Sequence, residues 1–215
     1  QDWGHAVHAR ALDAGLPLVI DADALNLLAQ ASPASLREDT VLTPHPGEAA
    51  RLLGIPTHVV QADRFAAARA LAERFGCVVV LKGAGTLVAA PDRRTCVIDA
   101  GNPGMATGGM GDVLTGVIAA LRAQGLDAFD AACCGALLHA CAGDVAARDE
   151  TSRQCGRGVP GGVDPRRRSE QRRERVEPRR VDDDAPVVVA RAARRHRSFE
   201  LDMVAAGQQV ERRAG

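Results

Sequence analysis

Apolar and polar positions change rhythm repeatedly along the first two-thirds of the chain. HAVHARALDAG, residues 5–15, repeats its apolar positions at helical spacing and stops at Gly15, which predicts a helix with a glycine end. LPLVIDA (16–22) is a short apolar strand run, ALNLLAQA (24–31) is helical again, and TVLTP is a strand halted by Pro44. GEAARLLG predicts a short helix closed by Gly54, and QADRFAAARALAERFG one longer amphipathic helix over 61–76. CVVVLKG is a continuous β-branched run, as in strands covered on both faces. TLVAAPDRRTCVID (86–99) predicts a hairpin turning at Pro91 and Asp92. Two helices come next, over about 111–124 and 128–147, with Asp127 as N-cap of the second. Alternation of this kind predicts an α/β class with a largely parallel sheet flanked by helices.

The pattern fails after residue 148. GVDPRRRSEQRRERVEPRRVDDDAPVVVARAARRHR carries charge blocks and prolines, with no sustained helical or strand period, and Leu201 is the one leucine of 149–215. The formal charge of zero hides the same division. Eleven basic residues face fifteen acidic ones through Arg148, a net of −4, and sixteen face twelve from Asp149, a net of +4. Such a segment cannot bury enough apolar area to offset its ordering entropy. Three readings stand: a basic arm for nucleic acid, a disordered natural tail, or out-of-frame translation of a GC-rich gene. The third is expected, because wrong-frame reading of such DNA enriches Arg, Pro, Gly and Val. The expected division is therefore 1–148 as the folded domain and 149–215 as an unrelated Arg-rich tail.

Composition narrows the function classes. Aromatic residues are 2% of the chain, so base-stacking platforms are not expected. The longest apolar run, AFDAACCGALLHACAGDVAA, is interrupted by Asp130, His139 and Asp144, so no membrane span is expected. The six cysteines include no CxxC pair, which favours buried thiols in a reducing cytoplasm. The first residue is Gln1, and the chain is expected to begin inside a longer protein.

Four segments carry candidate chemistry. GNPGMATGGMGD (101–112) puts glycines directly before a helix, where free N–H groups and the helix dipole favour an anion. Asp112 would repel a phosphate as a static neighbour but suits a base that takes a proton from a hydroxyl attacking it. The alternative is a flexible loop with Asp112 as an ordinary N-cap. No GK[ST] comes after the glycines, so this is not a Walker A loop. LKGAGT places Lys82, the single lysine of the chain, in a glycine turn at a strand end, where open α/β sheets bind ligands. The alternative there is a plain strand-to-strand turn. TPHPGEAARL holds His45 between two prolines with Glu48 in the next helical turn, either a functional pair or a structural His with an acid complementing the helix dipole. DADALN (21–26) either lines the cleft or uses Asp23 to cap a helix.

VIDADALNLLA, LTPHPGEAARLLG, VVVLKGAGTLVAAPD and GNPGMATGGMGDVLTGVIAALRAQG, in this order, resemble the ADP-dependent NAD(P)H-hydrate dehydratases, the carboxy-terminal domains of bifunctional NAD(P)H-hydrate repair enzymes. The resemblance spans residues 1 to about 148. It implies a ribokinase-like fold whose amino-terminal part is missing here, and dehydration of the S-epimer of hydrated NADH or NADPH with ADP giving AMP and phosphate. It implies Asp112 as base and contact of the hydrated nicotinamide. Gly108, Gly109 and Gly111 would hold the transferring phosphate, Gly111 also lying at the nucleotide. Lys82, Gly83, Ala84, Gly85 and Thr86 would line the ADP site, His45 would contact the dinucleotide, and Glu48 would place Mg²⁺ through water. The implied setting is a cytoplasmic homo-oligomer, in some cases fused to an NAD(P)H-hydrate epimerase domain, with neither nucleic acid nor membrane as partner. The polypeptide as written is expected to be inactive. The rival readings are a ribokinase-like kinase of a vitamin precursor and a non-catalytic module whose basic tail binds nucleic acid.

Overall fold

A strand covered by helices on both faces must be apolar at every position, and its odd and even side chains enter different cores. The computed structural model, which describes residues 2–31, 36–92, 94–155, 187–195 and 198–205, is built on this rule. Strands β1 (Val19–Ile20), β2 (Val41–Leu42) and β3 (Val78–Leu81) pair in parallel, with Val19 opposite Val41 and Val41 opposite Val78. β4 (Thr86–Ala89) and β5 (Thr95–Ile98) extend the sheet as the expected antiparallel hairpin. The sheet is thus parallel where the site forms and antiparallel at the hairpin.

Along β3, Val79 and Leu81 enter one core, with Ile20, Leu42 and Leu87. Val78 and Val80 enter the other, with Val41, Val88 and Ile98. The first core is covered by α2 (Asp23–Gln30), α3 (Pro46–Leu53), α4 (Thr57–Ala62) and α5 (Arg64–Phe75), with Leu12 of α1 (Asp2–Asp13) at its margin. The second is covered by α6 (Met110–Ala123) and α7 (Ala128–Cys155). Each fully buried Leu or Val contributes roughly 1.5–3 kcal/mol, and Leu25, Leu42, Leu71, Leu81, Ile118 and Phe75 are all sealed from solvent.

Three expectations change. The single helix over 61–76 is two, because Asp63 leaves helical geometry and its carboxylate caps the Ala66 N–H at 2.9 Å to start α5 anew. The segment Ala128–Arg148 is, despite its interrupting charges, long and apolar enough by length and composition to cross a membrane. Here it is a core helix, with Ala131, Ala132, Ala136 and Leu137 buried on the sheet. The reading of 149–215 as lacking strand pattern is also corrected. Val187–Arg195 (β6), which opens with three valines, pairs parallel with β5, and Ser198–Ala205 (β7) pairs antiparallel with β6. The charge blocks between 156 and 186 lie outside the described residues. Asp127 caps α7 as expected, accepting the Asp130 N–H at 2.8 Å.

Candidate functional site

Parallel strands end on one edge of a sheet, so the residues just beyond β1, β2 and β3 are gathered there. They are Asp21, the segment Thr43–Pro44–His45, and Lys82. Backbone bonds tie these ends together: the Thr43 N–H donates to the Ile20 carbonyl at 3.0 Å, and the Lys82 N–H to the Pro44 carbonyl at 2.9 Å.

The ammonium of Lys82 lies 2.7 Å from Asp21 Oδ1 and 3.9 Å from Glu48 Oε2. Thr115 on α6 donates its hydroxyl to Asp21 Oδ2 at 3.2 Å. Burial pushes the Asp21 pKa up, but hydrogen bonding and charge from Lys82, with bonds from the Ala22 backbone and Thr43, outweigh it and hold the carboxyl below its ordinary value. The next residue, Ala22, has φ 51° and ψ −120°, the one described non-glycine residue with positive φ. That strain turns the chain sharply out of β1 into α2.

His45 and Glu48 form a reciprocal cap on α3. His45 Nδ1 accepts the Gly47 N–H at 2.9 Å, and Glu48 Oε2 accepts the His45 N–H at 2.7 Å. Glu48 Oε1 lies 3.4 Å from His45 Nε2. Glu48 Oε2 is therefore committed to the cap, while Oε1 faces the half-exposed His ring.

The glycine loop reaches this cluster from the other side. Gly109 takes the left-handed conformation (φ 86°) as N-cap of α6, without a side-chain cap. A Cβ at Gly108 or Gly109 would meet nothing within 4 Å, so the backbone there is open. At Gly111 a Cβ would stand 3.0 Å from Asp21 Oδ2 and 3.4 Å from Lys82 Nζ, so the bare backbone lets the start of α6 touch the ion pair. Asp112 lies exposed in the first turn of α6, where an acid complements the helix dipole, and Gly109, not Asp112, is the N-cap. Asp23 likewise begins α2 with no side-chain cap bond, and Asp21 is the acid of that segment that joins the cluster.

The structure thus brings Lys82, Glu48 and Gly111 together with Asp21. His45 stands beside Glu48, Gly83, Ala84, Gly85 and Thr86 continue the chain from Lys82, and Gly108, Gly109 and Asp112 flank Gly111. Sequence reasoning missed three supports. Thr115 was hidden one helical turn beyond Asp112, a spacing that could have exposed it. Asp144 on α7 accepts the Gly101 N–H at 2.9 Å and the Asn102 amide at 3.0 Å, pinning the start of the glycine loop. Arg64, an ordinary-looking helix residue, contacts the loop after β3. On α7, burial pushes the His139 pKa below its ordinary value, against a hydrogen bond to the Met110 backbone.

Residues 1–155 match the family model described as NAD(P)H-hydrate dehydratase. The chain is 53% identical over 148 residues to a bifunctional NAD(P)H-hydrate repair enzyme of Coxiella burnetii, covering 69% of this chain and 30% of that protein. It is 54% identical over 133 residues to an ADP-dependent (S)-NAD(P)H-hydrate dehydratase of Neisseria meningitidis, covering 60% of this chain and 45% of that protein. It therefore spans less than half the length of either relative. Among solved structures, an ADP/ATP-dependent NAD(P)H-hydrate dehydratase of Bacillus subtilis, co-crystallized with ATP/Mg²⁺, superposes with a TM-score of 0.56 at 29% identity, over 76% of this chain and 55% of that one. A ribokinase-like superfamily protein of Enterococcus faecalis superposes with a TM-score of 0.59 at 31% identity, over 66% of this chain and 50% of that one. The fold is ribokinase-like.

Proposed function

Because the chain belongs to the NAD(P)H-hydrate dehydratase family, we propose that its cleft serves the ADP-dependent dehydration of S-hydrated NAD(P)H to NAD(P)H, AMP and phosphate. The observation that carries this reading is the meeting of Lys82, Asp21 and Glu48 with the bare backbone of Gly111 at the open start of α6. A cation, a row of glycine amides and the positive end of a helix dipole are the parts that stabilise charge on a transferring phosphoryl group.

In this reading Lys82 and the Gly83–Thr86 loop hold ADP, and Gly108, Gly109 and Gly111 cradle its β-phosphate. Asp112 accepts the proton of the substrate's 6-hydroxyl as that oxygen attacks phosphorus and AMP departs. The ring nitrogen lone pair then expels phosphate, and loss of the adjacent C–H proton restores the reduced nicotinamide. His45 contacts the dinucleotide with its exposed ring. Glu48 Oε2 is held by the α3 cap, which leaves Oε1 as the oxygen that would hold Mg²⁺, through water in this reading. When bound, Mg²⁺ would neutralise charge on the diphosphate. The bifunctional relatives support an epimerase partner activity in the same polypeptide.

The test supplies S-hydrated NADH, ADP and Mg²⁺ to the 215-residue chain and to a chimera that adds the amino-terminal portion of a full-length relative. Recovery of NADH with equimolar AMP and phosphate is expected from the chimera. ATP-dependent phosphorylation of a thiazole alcohol, with the hydrate untouched, would overturn the reading in favour of a vitamin-precursor kinase. In the active protein, Asp112→Asn should lower turnover by roughly a hundredfold or more, the scale of a general base, with ADP affinity nearly unchanged. Turnover within a few-fold of the parent would remove Asp112 from that role.

A further inference from the structure

Arg64 is the first residue of α5, where a positive charge opposes the helix dipole. Burial moreover pulls its guanidinium pKa below the ordinary value. A residue so placed needs strong compensation, and the structure supplies it from one source. Nη1 donates to the carbonyls of Ala84 at 2.5 Å and Gly85 at 3.0 Å. Nη2 donates to those of Leu81 at 3.1 Å and Lys82 at 3.4 Å. A Cβ on Gly83 would come within 3.0 Å of Nη2, so the loop lies directly on the guanidinium.

Peptide planarity carries this grip through to the opposite side of the loop. Within one trans peptide unit, C=O and N–H point in opposite directions. Turning the Lys82 and Ala84 carbonyls toward Arg64 turns the N–H groups of Gly83 and Gly85 away from it. Among the described residues neither N–H has a backbone acceptor. The Lys82 N–H, paired with the Leu81 carbonyl in its own unit, also points away and donates to Pro44. Five donors on a rigid fork suit this task, and a lysine ammonium does not reproduce them.

We propose that Arg64 is the positioning residue of the nucleotide loop: by gripping four carbonyls it presents the Gly83 and Gly85 N–H groups, together with Lys82, to the anionic end of ADP. This rests on the reading of 82–86 as the ADP site. Its fixed charge lies behind the amides and adds to their field without touching the ligand.

The test is calorimetric titration of the 215-residue chain with ADP and, separately, with the hydrated dinucleotide. Arg64→Lys should weaken ADP binding by about tenfold or more, the scale of losing charged hydrogen bonds, and change dinucleotide binding by far less. Arg64→Ala should show the same selective loss, and millimolar guanidinium ion should restore much of it while methylammonium should not. Unaltered ADP affinity in Arg64→Lys, or equal losses for both ligands, would overturn the proposal. So would rescue by methylammonium, which would make charge alone the determinant. Should Arg64→Lys fail to fold, the Arg64→Ala add-back decides alone. Failure of the parent chain itself to bind ADP would instead sink the reading of the loop on which the proposal rests.

Discussion

At the scale of single residues, the Lys82–Asp21 pair is where electrostatics can be measured. Lys82→Ala removes the cation proposed for ADP and leaves Asp21 without its ion pair, so ADP affinity should fall more than dinucleotide affinity. Equal losses by calorimetry would point to damage to the fold. Asp21 has a folded-state pKa below its unfolded one, so it contributes stability above the unfolded value. That contribution is lost as pH falls through the folded value. The stability gap between the parent and Asp21→Asn, read from denaturant midpoints, should therefore be full at pH 7 and shrink below about pH 4. A gap that is constant with pH would mean the pair contributes no net linkage. No disulfide joins Cys77, Cys96, Cys133, Cys134 or Cys141, and burial pushes the Cys77 thiol up to about 12. Lys82 was legible in the sequence because it is the lone lysine, and Asp112 because an acid beside an anion cradle is chemically odd. Arg64 was not legible, since an arginine in an amphipathic helix looks like any solvated cation until the loop that lies across it is known.

At the scale of elements, β1 and α2 are joined through the strained Ala22 (φ 51°). Such a conformation costs of order 1–3 kcal/mol, and glycine adopts positive φ freely at a cost of roughly 0.5–1 kcal/mol in chain entropy. Ala22→Gly should therefore leave stability level or raise it by about 1 kcal/mol. A clear loss of stability in thermal or urea unfolding would show that the alanine methyl packs usefully. The apolar pattern located β3 as a continuous β-branched run, because both sheet faces are buried there, and the hairpin and the α6–α7 pair by their turn and helix signals. It joined α4 to α5 because Asp63 sits in a continuous helical pattern, and only its capping bond to Ala66 reveals the break. The two-residue strands β1 and β2 were visible less by length than by the prolines and acids that end them.

At the scale of the whole molecule, the hydrophobic-core residues whose burial is described all lie between Leu12 and Cys141. All candidate site residues lie in the same span. A chain cut after Cys155 should accordingly keep its cooperative unfolding and its ADP affinity, while exposing the outer edge of β5 to self-association. Loss of the folded state on truncation would show that β6 and β7 are integral to the domain. The expected out-of-frame origin of 149–215 has its own check, since a one-base shift beyond codon 148 should restore leucines at helical spacing. The topology also governs the order of assembly. The bonds from Asp21 to Lys82 and Thr115 bridge 61 and 94 residues of sequence. Closing a loop of the larger size carries an entropic cost of about 4 kcal/mol, and nothing local to β1 repays it before β3 and α6 have docked. The cleft therefore exists only where β1, β3 and α6 are docked together, as they are in the native fold. A nucleotide that binds there is a ligand of the native state alone, and at a hundred times its Kd it would add about 2.7 kcal/mol to the stability of the entire domain.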